Sequence, residues 1–273
     1  MPELPEVETT RRGISPHIQG RVLTAVDIRQ AKLRWPIPVA DVQSLVGEAL
    51  VSITRRGKYL LLAFSSGTLI IHLGMSGSLR IIKSNEPPLF HDHFDLIFGD
   101  LALRYCDPRK FGCLLLMSAS EGDISEHKLL CKLGPEPLLE GFTAEYLFAA
   151  SRKRTQALKQ FLMDSHIVVG VGNIYANESL FMAGIKPIRK AGSLTKKESE
   201  RLVEKIKYVL ARSIEQGGTT LRDFVGGDGK PGYFAQQLLV YGRGDKGCVN
   251  CDKPLKEVRL GGRSTVYCVD CQK

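Results

Sequence analysis

The sequence predicts an α+β protein: an antiparallel β-sandwich or barrel first, helices next, and a cysteine-bearing β-hairpin last. Three observations carry this. Residues 21 to about 118 hold short β-branched and Leu-rich runs separated by turn residues. Beyond Gly134 the apolar spacing becomes helical. Near the end stand Cys248-Val-Asn-Cys251 and Cys268-Val-Asp-Cys271, with sixteen residues between the pairs.

The elements follow in order. Residues 5 to about 18 predict a helix, with Pro5 in its first turn, Glu6 and Glu8 at its positive end and Gly20 to close it. Strand-like runs then include Arg21 to Ile28, Leu50 to Thr54, Lys58 to Phe64, Thr68 to His72, Phe94 to Phe98 and Leu114 to Met117. Ser65-Ser66-Gly67 and Gly99-Asp100 punctuate them as turns. Gly134 to Leu138, with two prolines, reads as a link between domains. Helices are expected over Ala144 to Lys153, Thr155 to Asp164 and Asn173 to Ala183, the last ended by Gly184. A longer one begins at Thr195, with Glu198 three residues on as a capping box, and runs to Gln216. Gly226 to Gly232 holds four glycines and no strand or helix signal. Val258 to Tyr267 alternates around Gly261-Gly262 and predicts the hairpin, with Arg263 just past its tip.

Composition bounds the function. The chain has 273 residues, 43% of them apolar, enough for one large or two ordinary folded domains. No apolar run has the length of a membrane span, and the acidic N-terminus does not look like a signal peptide. Cys106, Cys113 and Cys131 show no pairing pattern, which points to a reducing compartment. A net charge of +9 fits a polyanion binder without saying which polyanion.

Several residues carry chemistry. If Met1 is removed, Pro2 presents a secondary amine beside the Glu3 carboxylate, and such an amine can form a covalent imine-type intermediate. The bland alternative is an ordinary helix start. Cys248, Cys251, Cys268 and Cys271 have the spacing of a closed tetrahedral zinc site, which is structural rather than catalytic. Val169-Gly-Val-Gly-Asn173 joins two helices through a Gly-rich turn whose N–H groups can receive a phosphate. Lys58 follows Arg55-Arg56-Gly57 and reads either as a surface strand end or as a cation near phosphate or nucleophile. Asp107-Pro-Arg109-Lys-Phe111 makes a turn with cations and an aromatic at its tip, suited to entering a base stack unless Phe111 belongs to the core. His72-Leu-Gly-Met75-Ser-Gly77 is a second turn bearing an apolar side chain. His91-Asp92-His93 lacks further matching ligands and is not read as a metal site.

Taken in order, Met-Pro-Glu-Leu-Pro-Glu, His72-Leu-Gly-Met-Ser-Gly, Asp107-Pro-Arg-Lys-Phe, Val171-Gly-Asn-Ile-Tyr-Ala-Asn-Glu and the Cys₄ hairpin closely resemble the bacterial formamidopyrimidine-DNA glycosylases. The likeness covers essentially the whole chain. It implies a β-sandwich catalytic domain over 1–133, a helix–two-turn–helix domain over 134–235 and a zinc finger over 236–273, with damaged duplex DNA in a cleft. It implies Pro2 as the nucleophile at the sugar C1′, Glu3 as the neighbouring acid/base, and Lys58 as proton donor in β-elimination. Arg263 would serve phosphate binding and δ-elimination. His72, His91, Arg109, Arg154 and Asn173 would contact DNA. Met75, Arg109 and Phe111 would fill the space left by an extruded nucleotide. A loop from about Thr219 to Tyr233 would cover the extruded base. The implied partners are one structural zinc ion and damaged DNA, with no organic cofactor, and the implied setting is a monomer in the bacterial cytoplasm on the nucleoid. One departure stands out: Arg154 occupies a position where lysine is usual, so charge is kept while contact geometry changes.

Two other readings fit parts of the chain. An endonuclease VIII-type enzyme for oxidised pyrimidines shares the N-terminal Pro-Glu, but Leu4-Pro5 and the set Met75, Arg109 and Phe111 disfavour it. A non-catalytic zinc-ribbon nucleic-acid binder explains charge and cysteines, yet needs neither Pro2-Glu3 nor Lys58.

Overall fold

The computed structural model describes residues 2–218 and 237–273. They form two compact units, one of residues 2–131 with 216–218 and one of 132–215 with 237–273. The expected covering loop, Thr219 to Tyr233, and Met1 lie outside the described residues.

The first unit opens with α1 (Leu4–Ile18), followed by β1 (Ala25–Ile28), α2 (Val39–Gln43), β2 (Ser52–Arg56), β3 (Tyr59–Ala63), β4 (Gly67–His72), β5 (Ser78–Lys83), β6 (Asp92–Phe98), β7 (Leu101–Cys106) and β8 (Cys113–Ser118). Two antiparallel sheets result, ordered β1-β6-β7-β5 and β2-β3-β4-β8. One apolar cluster joins them: Leu60, Leu62, Leu69, Ile71 and Leu114 from one sheet meet Leu79, Phe94, Leu96, Leu103 and Tyr105 from the other. Val7, Ile14 and Ile18 place one stripe of α1 in that core. The fold is therefore the sandwich.

α1 starts where its chemistry demands. The Glu6 carboxylate accepts the Glu3 N–H at 2.9 Å, closing a capping box, and Pro5 stands in the first turn where a missing N–H costs nothing. Gly20, at φ +82, turns the chain away. The expected strand at Arg21 to Ile28 is shorter than its sequence run: Val22 makes only an isolated bridge to Ala49. β5 and β7 stand outside the simple apolar pattern because they carry buried charge. Arg104 on β7 is 1% exposed and grips Asp95 through Nε and Nη2 at 2.9 and 2.7 Å. Arg29 pairs with the same carboxylate at 2.8 Å, and Arg80 on β5 pairs with Asp92 at 2.9 Å. Burial opposes the Asp95 charge, but the hydrogen bonds and charges of Arg104 and Arg29 outweigh it and hold the carboxyl below its usual range.

The second unit contains α3 (Ala144–Ser151), α4 (Leu158–Leu162), α5 (Asn173–Met182), α6 (Lys196–Glu215), β9 (Lys256–Leu260) and β10 (Arg263–Tyr267). The predicted capping box forms: Thr195 N–H donates to Glu198 at 2.9 Å and Glu198 N–H donates to Thr195 Oγ1 at 3.2 Å. Leu202, Ile206, Val209 and Leu210 are buried along one face of α6. α5 is buried almost throughout, and its polar side chains bind neighbouring backbone. Glu178 accepts the N–H groups of Leu239, Val240 and Tyr241 at 2.8, 3.0 and 2.8 Å. Asn177 Oδ1 accepts the Val266 N–H at 2.9 Å, docking the hairpin.

Removing one member of a buried ion pair leaves its partner's charge without compensation. Asp95→Asn is expected to cost about 3–5 kcal/mol, seen as a lower urea midpoint of the first unit. An unchanged midpoint would show that Arg104 and Arg29 are compensated by other groups.

Candidate active site and metal centre

Pro2 and Glu3 are buried immediately before α1, with Glu3 only 1% exposed. The aligned peptide dipoles of the helix make this its positive end. A positive charge placed on the Pro2 nitrogen would be disfavoured there, while the Glu3 carboxylate would favour it.

Lys58 occupies the turn between β2 and β3. Arg56 pairs with Tyr59, leaving Gly57-Lys58 as a two-residue loop. Gly57 has φ +57, a conformation that hairpin turns of this length require at their first central position. The lysine thus precedes its strand rather than opening it. Its charge acts on His72, the last residue of β4. His72 packs beside the Tyr59 ring at 4.9 Å, and its Nδ1 accepts the Gly74 N–H at 2.9 Å. Burial, then the cations Lys58 and Arg34, push its pKa down to about 4. At neutral pH the imidazole is uncharged with its proton on Nε2, which makes it a donor toward an incoming anion.

The two predicted turns meet. Met75 is 39% and Phe111 49% exposed, and Arg109 Nη1 lies 3.9 Å from Met75 Sδ. Phe111 is therefore not a core residue. What joins the turns is Asp107, which is fully buried. Its Oδ1 accepts Ser76 Oγ–H at 2.6 Å and the Arg109 N–H at 3.2 Å. Its Oδ2 accepts the Gly112 N–H at 2.9 Å and the Tyr105 hydroxyl at 3.0 Å. One carboxylate thereby fixes both the Met75 turn and the Arg109–Phe111 turn. Contact between them is close: a Cβ on Gly74 would meet Phe111 and Gly112 backbone at 2.5 Å, and one on Gly112 would meet the Tyr105 hydroxyl at 1.8 Å. The sequence marks Asp107 only as the start of a turn. Its Asp-Pro position, where a side chain caps the following backbone, is the signal that points to this larger role. The His91 carbonyl accepts the Asp107 N–H at 3.0 Å, bringing His91 beside the same turn. Neighbouring His93 bonds the Asp107 carbonyl and Asp92 pairs with Arg80.

In the second unit, Asn173 is the first residue of α5 and follows Gly172 at its N-cap. Arg154 is exposed in the segment between α3 and α4, where its charge reaches Asp164. Arg263 is exposed at the start of β10 and pairs with Leu260 across Gly261-Gly262. Both glycines have positive φ, +55 and +76, as a type I′ turn requires. Just behind Arg263, the buried Lys159 ammonium donates to the Ser264 carbonyl at 2.6 Å and to Thr265 Oγ1 at 2.7 Å.

The four cysteines converge, with their Sγ atoms all within 4.8 Å of one another. Cys248–Cys271 and Cys251–Cys268 separations are 3.9 and 3.6 Å. A disulfide needs about 2.05 Å. A tetrahedron of thiolates at about 2.3 Å from a metal has edges near 3.8 Å, which these distances bracket. Among the described residues this is the one group of three or more such ligands. The Cys271 N–H points at Cys268 Sγ at 3.4 Å, and Asp252, at φ +59, completes the first knuckle.

Known proteins resemble the chain along its whole length. The Formamidopyrimidine-DNA glycosylase N-terminal domain matches residues 1–114, and the Formamidopyrimidine-DNA glycosylase H2TH domain matches residues 133–225. The formamidopyrimidine-DNA glycosylases of Cellvibrio japonicus and Saccharophagus degradans are 68% and 61% identical, each across 100% of both chains. The crystal structure of the MutM (Fpg) protein of Thermus thermophilus is similar at a TM-score of 0.89 and 39% identity, over 99% of this chain and 98% of that one. The Lactococcus lactis Fpg in complex with abasic-site DNA is similar at 0.91 and 32%, over 99% of both chains.

The site yields three expected outcomes. NMR should find His72 neutral, with its proton on Nε2, from pH 8 down to about pH 4. Because the unfolded imidazole protonates near 6.5 and the folded one near 4, this side chain withdraws stability as pH falls through that window and has no such effect above it. Asp107→Asn should lose about 1–3 kcal/mol and speed hydrogen exchange at the Arg109 and Gly112 amides. Cobalt added to metal-free protein should give a thiolate charge-transfer band saturating at one equivalent, and Cys251→Ser should weaken it.

Proposed function

The chain belongs to the formamidopyrimidine-DNA glycosylase family, and from that premise we propose that it excises oxidised purines, 8-oxoguanine and formamidopyrimidines, from duplex DNA and then cleaves the strand. After removal of Met1, the Pro2 amine attacks C1′ of the damaged nucleotide. The glycosidic bond breaks and the base leaves with a proton; the C1′–O4′ bond then opens, O4′ takes up a proton, and Pro2 remains joined to C1′ as a Schiff base (iminium). Loss of a C2′ proton expels the 3′ phosphate, and δ-elimination then expels the 5′ phosphate.

The roles rest on the placements described. Glu3 moves protons beside Pro2, and the positive end of α1 opposes a charge on the amine. Lys58 donates a proton during β-elimination. Neutral His72 donates Nε2–H to a backbone phosphate, Asn173 receives another at the start of α5, and His91, Arg109 and Arg154 add further DNA contacts. Arg263, carried at a stiff hairpin tip, holds phosphate for δ-elimination. Met75, Arg109 and Phe111 occupy the space of the extruded nucleotide, offsetting its lost stacking. The observation that supports this most is the exposed Met75–Arg109–Phe111 cluster on a buried carboxylate: exposed apolar groups so firmly held suit insertion into a base stack better than solvent.

The four cysteines fit zinc, since an all-thiolate tetrahedral set favours it. Held by Cys248, Cys251, Cys268 and Cys271, the ion would be structural and would fix the hairpin that presents Arg263. The proposal places the protein in the reducing cytoplasm, on nucleoid DNA.

Borohydride trapping on a duplex holding one 8-oxoguanine, with mass mapping of the adduct, tests the mechanism. The adduct is expected on Pro2 as the mature N-terminus. Protein that binds the lesion duplex yet forms no adduct would leave only a DNA-binding role. Lys58→Ala should still form the adduct while slowing strand cleavage by about 10²-fold.

A further inference from the structure

We propose that Glu8 is a positioning residue for the reaction: through Arg55 it ties the helix that presents Pro2 and Glu3 to the peptide that presents Lys58. This rests on the function proposed above and adds a group that does not touch DNA or the reacting atoms.

Glu8 lies in the second turn of α1 and is 8% exposed. Its Oε1 accepts Arg11 Nη2–H and Arg12 Nε–H, both at 2.8 Å. Its Oε2 accepts Arg11 Nε–H at 3.0 Å and Arg55 Nε–H at 3.3 Å. Arg55 belongs to β2, and its Nη1–H donates to the Gly57 carbonyl at 2.8 Å. That carbonyl is half of the peptide bond between Gly57 and Lys58. Its orientation sets the direction in which the Lys58 side chain leaves the backbone. A guanidinium is planar, so one edge bonded to Glu8 and another to the turn carbonyl transmit orientation as well as distance. Arg11 Nη1 adds a tie from α1 to the Ile53 carbonyl of β2, at 3.4 Å.

A simple helix-to-sheet staple would not need this route. Val7, Ile14 and Ile18 already dock α1 into the apolar core. The carboxylate chain ends instead on the backbone of a proposed proton donor. Glu8 also remains ionised through the working range: burial alone would raise its pKa, but hydrogen bonds from Arg11 and Arg12 and the charges of Arg11 and Arg55 bring it down to about 2. Without it, Arg11, Arg12 and Arg55 would lose the carboxylate they share.

The test uses full-length zinc-loaded protein and a duplex with a preformed abasic site. Single-turnover strand cleavage is measured for Glu8→Gln, Arg55→Gln, the double variant and Arg12→Gln, across pH. Glu8→Gln and Arg55→Gln should each slow cleavage by about tenfold to a hundredfold, the scale of a misplaced reacting group. The double variant should lose no more than either single, because both break one chain. Their pH profiles should shift relative to wild type, and affinity for a stable abasic analogue should stay within about twofold, the precision at which an untouched contact set is recognised. Arg12→Gln removes one bond to Oε1 and leaves Glu8 held by Arg11 with its Oε2–Arg55 tie in place, so it should cleave at the wild-type rate, and Glu8→Asp should recover most of the activity. Wild-type rates in Glu8→Gln or Arg55→Gln, or an equal loss in Arg12→Gln, would overturn the relay. If Glu8→Gln does not fold, Arg55→Gln, which leaves Glu8 held by Arg11 and Arg12, decides between the outcomes alone. Failure of wild-type protein to trap on Pro2 would instead sink the function on which the relay rests.

Discussion

A carboxylate removed from water must be met by donors, and in the first unit each such carboxylate adds to its local donors one from a distant segment: Ser76, Arg29 or Arg55. Asp107 draws in Ser76, Tyr105, Arg109 and Gly112. Asp95 draws in Arg29 and Arg104. Glu8 draws in Arg11, Arg12 and Arg55. Apolar packing supplies most of the driving force for the sandwich, but it is non-directional. Directional bonds to a few buried acids decide where the turns at its rim point, and those turns bear Lys58, Met75, Arg109 and Phe111.

The second unit solves the same problem with opposite and neutral groups. A buried ammonium, Lys159, meets a carbonyl and a hydroxyl on β10. Asn177 and Glu178, adjacent on α5, each accept backbone N–H groups from the region around the cysteines. Four cysteine Sγ atoms converge beside them. A β-hairpin of five residues per strand is marginal alone. Here α4 and α5 hold it through Lys159 and Asn177, and the four cysteines gather at its base.

Much of this could be read in the sequence. The capping box at Thr195, the apolar face of α6, the Gly-Gly hairpin and the cysteine spacing are local patterns, and each appears where expected. The strands with clean alternation were also legible. β5 and β7 were not, because Arg80 and Arg104 look like surface residues until Asp92 and Asp95 are seen opposite them. The site divides the same way. Pro2, Lys58, Met75, Arg109, Phe111 and the cysteines announce themselves by type and motif. Asp107 and Glu8 do not, since an acid within a turn or a basic helix is ordinary, and only three-dimensional convergence reveals how many donors it serves.

The fit of Gly74 against Phe111 and Gly112 constrains how this surface can change over generations. With no room for even one methyl group between the two turns, neither can lengthen, shift register or gain bulk by itself. Single substitutions at the glycines are closed off, and only paired changes in both segments would preserve the seam. What the two turns present to a partner is therefore set jointly, never by one turn alone.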